Sequence, residues 1–549
     1  MANIQIDKNE FKRLLGKEIS DKKLLEQASY LGAHWHSIEN GKAEVEVYPN
    51  RPDLLSVEGL ARAYKGFFGV QKGLKDYPVE KGDIEVKKEE SVEEVRPYIG
   101  AAVVRNLNLS KKSIESLIQL QEKLHKTMGR ERNKLAIGLH DLSQLKPPFK
   151  YKAVKPGEVS FTPLEHEKQM SLEEILEKHE KGVKYSWILE ECDKYPIITD
   201  ADEKVLSFPP IINNKLTEVD NSTENVFIDV TGKDRQTVEK ALNIVATAIA
   251  DRGGTIESVW VDGKELPDLY PEEMSLDIHY FRKISGLSLM EDEIKERLEK
   301  MNYDAEKETS DSLKVKIPAY RTNIMHQYDL IEDIVIAHGY GEITPELPEV
   351  DQIGDQKGIE EFTSLLRQIM VSSGVLETNT YFLSSKDKLF DKMESERKEI
   401  VEMKNSLTED YSALRNWMTP SMLQVLKNNR HHGYPQKFFE AEDVAVLDDS
   451  PTGASNVRKL AYIVSDKEVD FNDVREVLQV LERDLGEDFR VKADEKPFLK
   501  SNRSGDIFID GEKLGFIGEI SQQVVENWDL EKPVAVFELN IDKLYELIY

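Results

Sequence analysis

Cys192 is the only cysteine in a chain of 549 residues. No internal disulfide and no Cys-based zinc site can staple such a fold, so each domain has to be held by buried apolar surface. At about 100 to 200 residues per domain the length predicts three to five domains. Hydrophobic residues make up 39% of the chain, enough core material to exclude disorder. The 30 Gly and 21 Pro are too few for a fibrous protein. A lone cysteine suits a reducing compartment. The mixed, charged start MANIQIDKNEFKRLLG lacks the apolar run of a signal peptide, and no stretch of about 18 apolar residues occurs. The expectation is a cytoplasmic, globular protein with no membrane contact. Its 103 acidic against 74 basic residues give a net charge of −29, which opposes nucleic acid unless basic residues cluster or a partner supplies them.

Hydrophobic periodicity predicts a multidomain α+β chain. A first module, 1–95, starts with a short strand at Ile4 to Ile6, a helix through Phe11, Leu14 and Leu15, and an alternating strand from Ala43 to Tyr48. The turn Pro49-Asn-Arg-Pro-Asp53 follows, with Asp53 placed to cap a helix carrying Leu54, Val57, Leu60, Ala61 and Tyr64. The charged stretch Glu80 to Val95 reads as a linker or edge hairpin. A second module, 96–268, mixes strands (Gly100 to Val104, Val226 to Val230) with helices (Ile114 to His125, Thr237 to Ala250). In a third, 269–348, two short helices precede the strand Leu313 to Ile317, a winged-helix-like order. The last, 349–549, has long helices and apolar strands such as Leu460 to Val464 and Val534 to Leu539.

Signatures of P-loop hydrolysis, α/β-hydrolase and zincin chemistry are absent. Gly339-Tyr-Gly341 lacks the third glycine of a dinucleotide fingerprint, and the adjacent His431 and His432 are expected to point apart. Asp329, Glu332 and Asp333 share one helix face at i, i+3 and i+4. Such oxygen ligands suit Mg²⁺, and a solvated acidic face is the alternative. The Pro-Pro corner of Phe208-Pro-Pro-Ile-Ile-Asn-Asn214 and the strand end Asp229-Val-Thr-Gly232 read as a pocket rim, Asp229 and Thr231 projecting to one side. A local turn ending the strand is the alternative.

Taken together, Asn50-Arg-Pro-Asp-Leu-Leu-Ser-Val-Glu-Gly-Leu-Ala-Arg62, Ala136-Ile-Gly-Leu-His-Asp-Leu142 with Pro147-Pro-Phe149, the pocket-rim pair and Asp329-Leu-Ile-Glu-Asp333 resemble the phenylalanyl-tRNA synthetase beta subunit, in its archaeal and eukaryotic-cytosolic form. The resemblance spans nearly the whole chain. It implies an N-terminal B1-like domain, a B3/B4 editing domain, a winged-helix-like B5 domain and a C-terminal class II catalytic-like domain (B6/B7). It also implies an alpha subunit partner in an (αβ)₂ heterotetramer, tRNA for phenylalanine as nucleic-acid partner, ATP bound by the partner subunit, and Mg²⁺. Residue by residue, it places Ser207, Asn213, Asp229, Thr231 and His140 at the editing pocket and Asp329, Glu332 and Asp333 at Mg²⁺. Asn323 stands where a fourth acid is usual. Gly515-Phe-Ile-Gly-Glu519 resembles a class II motif 3, yet Ile520 to Trp528 contain no Arg to hold ATP. The implied activity is that of a phenylalanine-tRNA ligase subunit that scaffolds the synthetic site and edits mischarged Tyr-tRNA. The other class is a non-enzymatic adaptor binding tRNA or a partner.

Overall fold

The computed structural model describes residues 2–549, the side chains of residues 27 and 28 excepted. The chain divides into two compact units, Met1–Glu346 and Leu347–Tyr549, and is a multidomain α+β protein.

The first unit begins with a three-stranded antiparallel sheet, Ala2–Asp7, Lys42–Val47 and Ala33–Glu39, with Lys42–Val47 central. Period-2 alternation turns Ile4, Ile6, Ala43, Val45 and Val47 inward. Beneath them Trp35 Nε1 donates to the Tyr64 hydroxyl at 2.9 Å, and Phe11 meets both rings edge-on. Tyr64 belongs to the helix Val57–Phe67, whose cap differs from expectation. Ser56 accepts from the Gly59 amide (3.1 Å). Asp53 lies earlier, in a 3₁₀ turn, buried and bound by Arg51 Nε and Nη2 at 2.9 and 2.8 Å.

A ten-stranded sheet forms the middle of this unit, in the order Ile212–Asn213, Val205–Phe208, Tyr195–Thr199, Phe149–Val154, Val79–Lys88, Thr255–Val261, Tyr98–Arg105, Val226–Gly232 and Leu135–Asp141. The short strand Lys264–Leu266 pairs with Thr255–Val261. Of the charged stretch Glu80 to Val95, expected as a linker or edge hairpin, the part up to Lys88 is therefore an interior strand, parallel to both neighbours. Only Ile84 and Val86 are buried within it, so its composition resembles a connector. The helices Lys111–Lys126 and Arg235–Ala250 pack on this sheet. A third sheet, Glu272–Asp277, Ser312–Ile317 and Asp304–Lys307, carries the helices Ile278–Ser285, Glu291–Lys300 and Gln327–His338.

Buried charges join these three parts. Arg252 donates to Glu58 (2.5 Å) and to Glu10 (2.6 Å), both from the N-terminal part. Asp251 accepts from Arg62 (3.1 Å), Lys75 (2.5 Å) and Tyr77 (2.7 Å). The Arg62 guanidinium also stacks 3.6 Å from the Tyr320 ring centroid, a cation–π contact.

The second unit is a seven-stranded sheet in the order Leu376–Glu377, Gln436–Leu447, Ala454–Ser465, Val534–Asn540, Glu512–Ile520, Leu499–Ile509 and Arg490–Ala493. Leu460, Tyr462 and Val464 enter one core, and Ala461 and Ile463 enter another. Burial on both faces explains why these strands read as unbroken apolar runs. Glu538 accepts from the amides of Met418 and Thr419 (3.0 Å each) at the start of the helix Thr419–Asn429, where the helix dipole favours an anion. His431 and His432, expected to point apart, lie in the turn after that helix with ring centroids 4.1 Å apart.

Arg252→Met strands the buried Glu58 carboxylate and is expected to cost about 3–5 kcal/mol, measured by urea unfolding of the full chain. The Arg13 hydrogen bond, working against burial and joined by Arg252, holds Glu10 at about 2, below its ordinary 4.5. Its stabilising share is complete above about pH 4.5 and is lost as pH falls through about 2. Glu10→Gln should remove that part of the acid limb in a stability-versus-pH series.

Candidate functional site

The strand Val226–Gly232 runs antiparallel between Tyr98–Arg105 and Leu135–Asp141, which sets Asp229 opposite Gly138 and Phe227 opposite His140. Residues 138 and 140 share a face, so His140 is the diagonal neighbour of Asp229. The carboxylate reaches it across the bare Cα of Gly138, and Oδ2 lies 2.7 Å from His140 Nε2. A Cβ at 138 would fall 1.9 Å from Asp229 Oδ2 and 2.6 Å from His140 Nε2. The glycine is thus required by the close approach of two side chains.

Asp229 faces a cavity of about 210 Å³. Its walls are Ile114, Leu117 and Gln121 of the helix Lys111–Lys126, Ile137 and Leu139 of the adjacent strand, and the Pro209-Pro210 corner with Ile212. Ser207 and Asn213 also line it; Asn213 Nδ2 donates to the Leu139 carbonyl at 3.3 Å. Ser207 Oγ is buried without a hydrogen-bond partner. The structure therefore brings Ser207, Asn213 and Asp229 together. His140 and Thr231 do not line the cavity. His140 is fully buried behind Asp229, with Nδ1 2.8 Å from Thr217 Oγ1. Thr231 is on the expected strand, but its hydroxyl accepts from Arg96 Nε at 2.9 Å in a closed contact.

Among the cavity residues that were not anticipated are Glu122, His125 and Arg132. Arg132 follows two other non-glycine residues at positive φ, Arg130 and Glu131, with angles of 46, 54 and 69°, a conformation L-residues rarely adopt. The turn directs its guanidinium inward, where it donates to the Ile211 carbonyl (2.7 Å) and to Glu122 (2.6 Å) and lies 4.4 Å from the Tyr185 ring centroid. Burial works against a charge on Glu122, but His125 and Arg132 outweigh it and hold the carboxyl at about 2. Burial, opposed by Glu122, pushes His125 below its ordinary value. Because His125 Nε2 accepts the Ile137 amide at 2.8 Å, the proton of the neutral ring sits on Nδ1. That atom faces Glu122 at 3.5 Å, a long and weak contact.

The expected Mg²⁺ ligands are engaged otherwise. Asp329 Oδ2 accepts the amides of Met325 (2.8 Å) and His326 (2.9 Å) as part of a helix cap. Asp333 is buried and receives Arg321 Nη2 at 2.6 Å and the Tyr303 hydroxyl. Asn323 Oδ1 accepts from the same guanidinium at 3.1 Å. Glu332 is exposed, its pKa raised by partial burial and by Asp333 and Asp329. Among the described residues no three acid, His or Cys side chains form a metal-holding group. A hard cation needs several free converging oxygens. These residues, as arranged, do not fit one.

Comparison with known proteins agrees with this architecture. Residues 90–249 match the B3/4 domain, 274–340 the tRNA synthetase B5 domain, and 343–541 the phenylalanyl tRNA synthetase beta chain CLM domain. In this order the three models define a beta chain of an aminoacyl-tRNA synthetase. The chain is 40% identical to the phenylalanine–tRNA ligase beta subunit of Pyrococcus abyssi over 557 residues, covering 100% of both. It is 38% identical to that of Methanococcus maripaludis, covering 99% of this chain and 100% of the relative. A crystal structure of an N-terminal fragment of the Pyrococcus horikoshii phenylalanyl-tRNA synthetase beta subunit matches with TM-score 0.59 and 42% identity, covering 62% of this chain and 100% of the fragment. The chain belongs to the phenylalanine–tRNA ligase beta subunit family.

Gly138→Ala must displace Asp229 or His140 and is expected to destabilise the chain by about 1–3 kcal/mol in urea unfolding. Gly157→Ala, with open space around it, should be neutral. Arg321→Met leaves buried Asp333 unpaired, and the same measurement should register a loss of about 3–5 kcal/mol.

Proposed function

We propose that this chain is the beta partner in phenylalanine–tRNA ligase and that its sheet-borne cavity removes tyrosine wrongly joined to the phenylalanine tRNA. The observation that carries this reading is the Asp229 carboxylate, buried at a cavity whose wall includes the apolar Ile137, Leu139, Phe208 and Val226. An apolar synthetic pocket rejects a substrate that merely adds a hydroxyl by only about 100-fold, whereas a site built to bond the hydroxyl discriminates far more strongly. A phenolic group donating to Asp229, with Ser207 and Asn213 beside it, is selected over a phenyl group. Water then attacks the ester carbonyl, the bond to the ribose oxygen breaks, and the products are tyrosine and tRNA with its hydroxyl restored.

The remaining parts take supporting roles in this reading. The sheet of Glu272–Asp277, Ser312–Ile317 and Asp304–Lys307 with its helices is the winged-helix-like B5 module. The seven-stranded unit is a class II synthetase-like core without its catalytic groups. Its strand Glu512–Ile520 leads into the helix Gln522–Asn527 with no Arg. ATP binding and adenylation then fall to an alpha subunit, in a cytoplasmic (αβ)₂ assembly, and the beta-subunit name carried by the relatives supports such a partner. Among the described residues no helix is long and apolar enough to cross a membrane.

The test is deacylation of Tyr-tRNA by the co-expressed αβ complex. Wild type should release tyrosine. Asp229→Ala should slow release roughly 10- to 150-fold, the weight of a lost hydrogen bond to a charged group, with phenylalanine attachment retained. No release by wild type would leave the adaptor reading in its place.

A further inference from the structure

Behind the cavity, Asp229 is one end of a chain of hydrogen bonds that the editing chemistry does not itself use. Its Oδ2 lies 2.7 Å from His140 Nε2, and the other ring nitrogen lies 2.8 Å from Thr217 Oγ1. Thr217 Oγ1 is in turn 3.1 Å from the Asn214 carbonyl and 3.4 Å from that of Leu206. Asp229, His140 and Thr217 are all buried. Thr217 closes the 3₁₀ turn Lys215–Thr217, capped by Asn214, whose Oδ1 accepts the Leu216 amide (3.0 Å) and whose Nδ2 donates to the Val205 carbonyl (2.7 Å). That turn directly follows the cavity-wall strand Ile212–Asn213.

We infer that Thr217 and His140 are positioning residues for Asp229, a relay that aims its carboxylate into the cavity and ties that aim to the Pro-Pro wall; this rests on the editing reading. A carboxylate on a strand has two free torsions, and an acceptor that selects one hydroxyl has to be held in one of them. Thr217 has a single proton to donate. Given to a backbone carbonyl, it leaves Oγ1 to accept from Nδ1–H, and the ring donates from both nitrogens. Given to Nδ1, it leaves a neutral ring protonated at Nε2. In both patterns with an ionised Asp229, the Nε2 proton goes to Oδ2, and the second carboxylate oxygen is left for the ligand. The absent Cβ of Gly138 is the gap that this contact occupies. His140 therefore acts through Asp229 and touches no substrate.

The experiment compares Tyr-tRNA and Phe-tRNA deacylation by the αβ complex carrying Thr217→Val, Thr217→Ser, His140→Gln or His140→Leu. Thr217→Val and His140→Leu should lower kcat/KM for Tyr-tRNA roughly 5- to 150-fold, mainly through KM, because the misaimed acceptor loses ground-state and transition-state binding alike. The tyrosine-over-phenylalanine preference should fall by a similar factor, which loss of bulk stability alone does not produce. Thr217→Ser restores the hydroxyl and should recover wild-type behaviour. His140→Gln keeps a donor near Nε2 and should retain more activity than His140→Leu, and this pair carries the test if the valine variant fails to fold. Wild-type preference in both Thr217→Val and His140→Leu would overturn the relay while editing stands. Absence of Tyr-tRNA release by wild type would remove the editing reading and the relay with it.

Discussion

Arg252 sits in the interior between Glu58 and Glu10, and the arrangement of the first unit depends on that pairing. Taking these charges out of water is costly, and only a docking in which each meets its partner offsets the cost. The same logic recurs at Arg62 with Asp251. Apolar contact tolerates sliding, whereas a buried guanidinium fork does not. These pairs therefore set which surface of the N-terminal module meets the central sheet, and with it the helix Lys111–Lys126 that walls the cavity.

Within the central sheet, position follows from register. Once Val226–Gly232 pairs with Leu135–Asp141, Asp229 has Gly138 beside it and His140 on the diagonal. The apolar walls come from a helix and from the corner at Pro209-Pro210. A rigid sheet thereby fixes the Asp229 carboxylate at the cavity wall, as a site that holds one ligand geometry requires.

Several of these features were legible in the sequence. The strand ending Asp229-Val-Thr-Gly232, the Pro-Pro corner and the two long helices lie where their patterns put them. Local pattern failed where a distant residue decided the outcome. Strand geometry set Thr231 on its face, but Arg96 engages its hydroxyl. Helical spacing grouped Asp329, Glu332 and Asp333, but Arg321 and Tyr303 come from outside that helix and engage Asp333. Arg132 carried no signal, since a left-handed turn of ordinary residues has no composition of its own. The stretch Val79–Lys88 was misread because its alternate positions are charged and only two are buried.

That last strand has a consequence for how the molecule is assembled. Val79–Lys88 fills a slot between Thr255–Val261 and Phe149–Val154, parallel to each, so the sheet stays in two pieces until residues far apart along the chain have met. Such long-range pairing is slow, and until it occurs two strand edges offer unpaired amides and carbonyls to other chains. Cutting the chain at residue 95 to isolate the central module would remove the insert and leave both edges open permanently. The piece that carries the cavity is thus not self-sufficient at that boundary, and its sheet is completed by the segment that looked most like a tether.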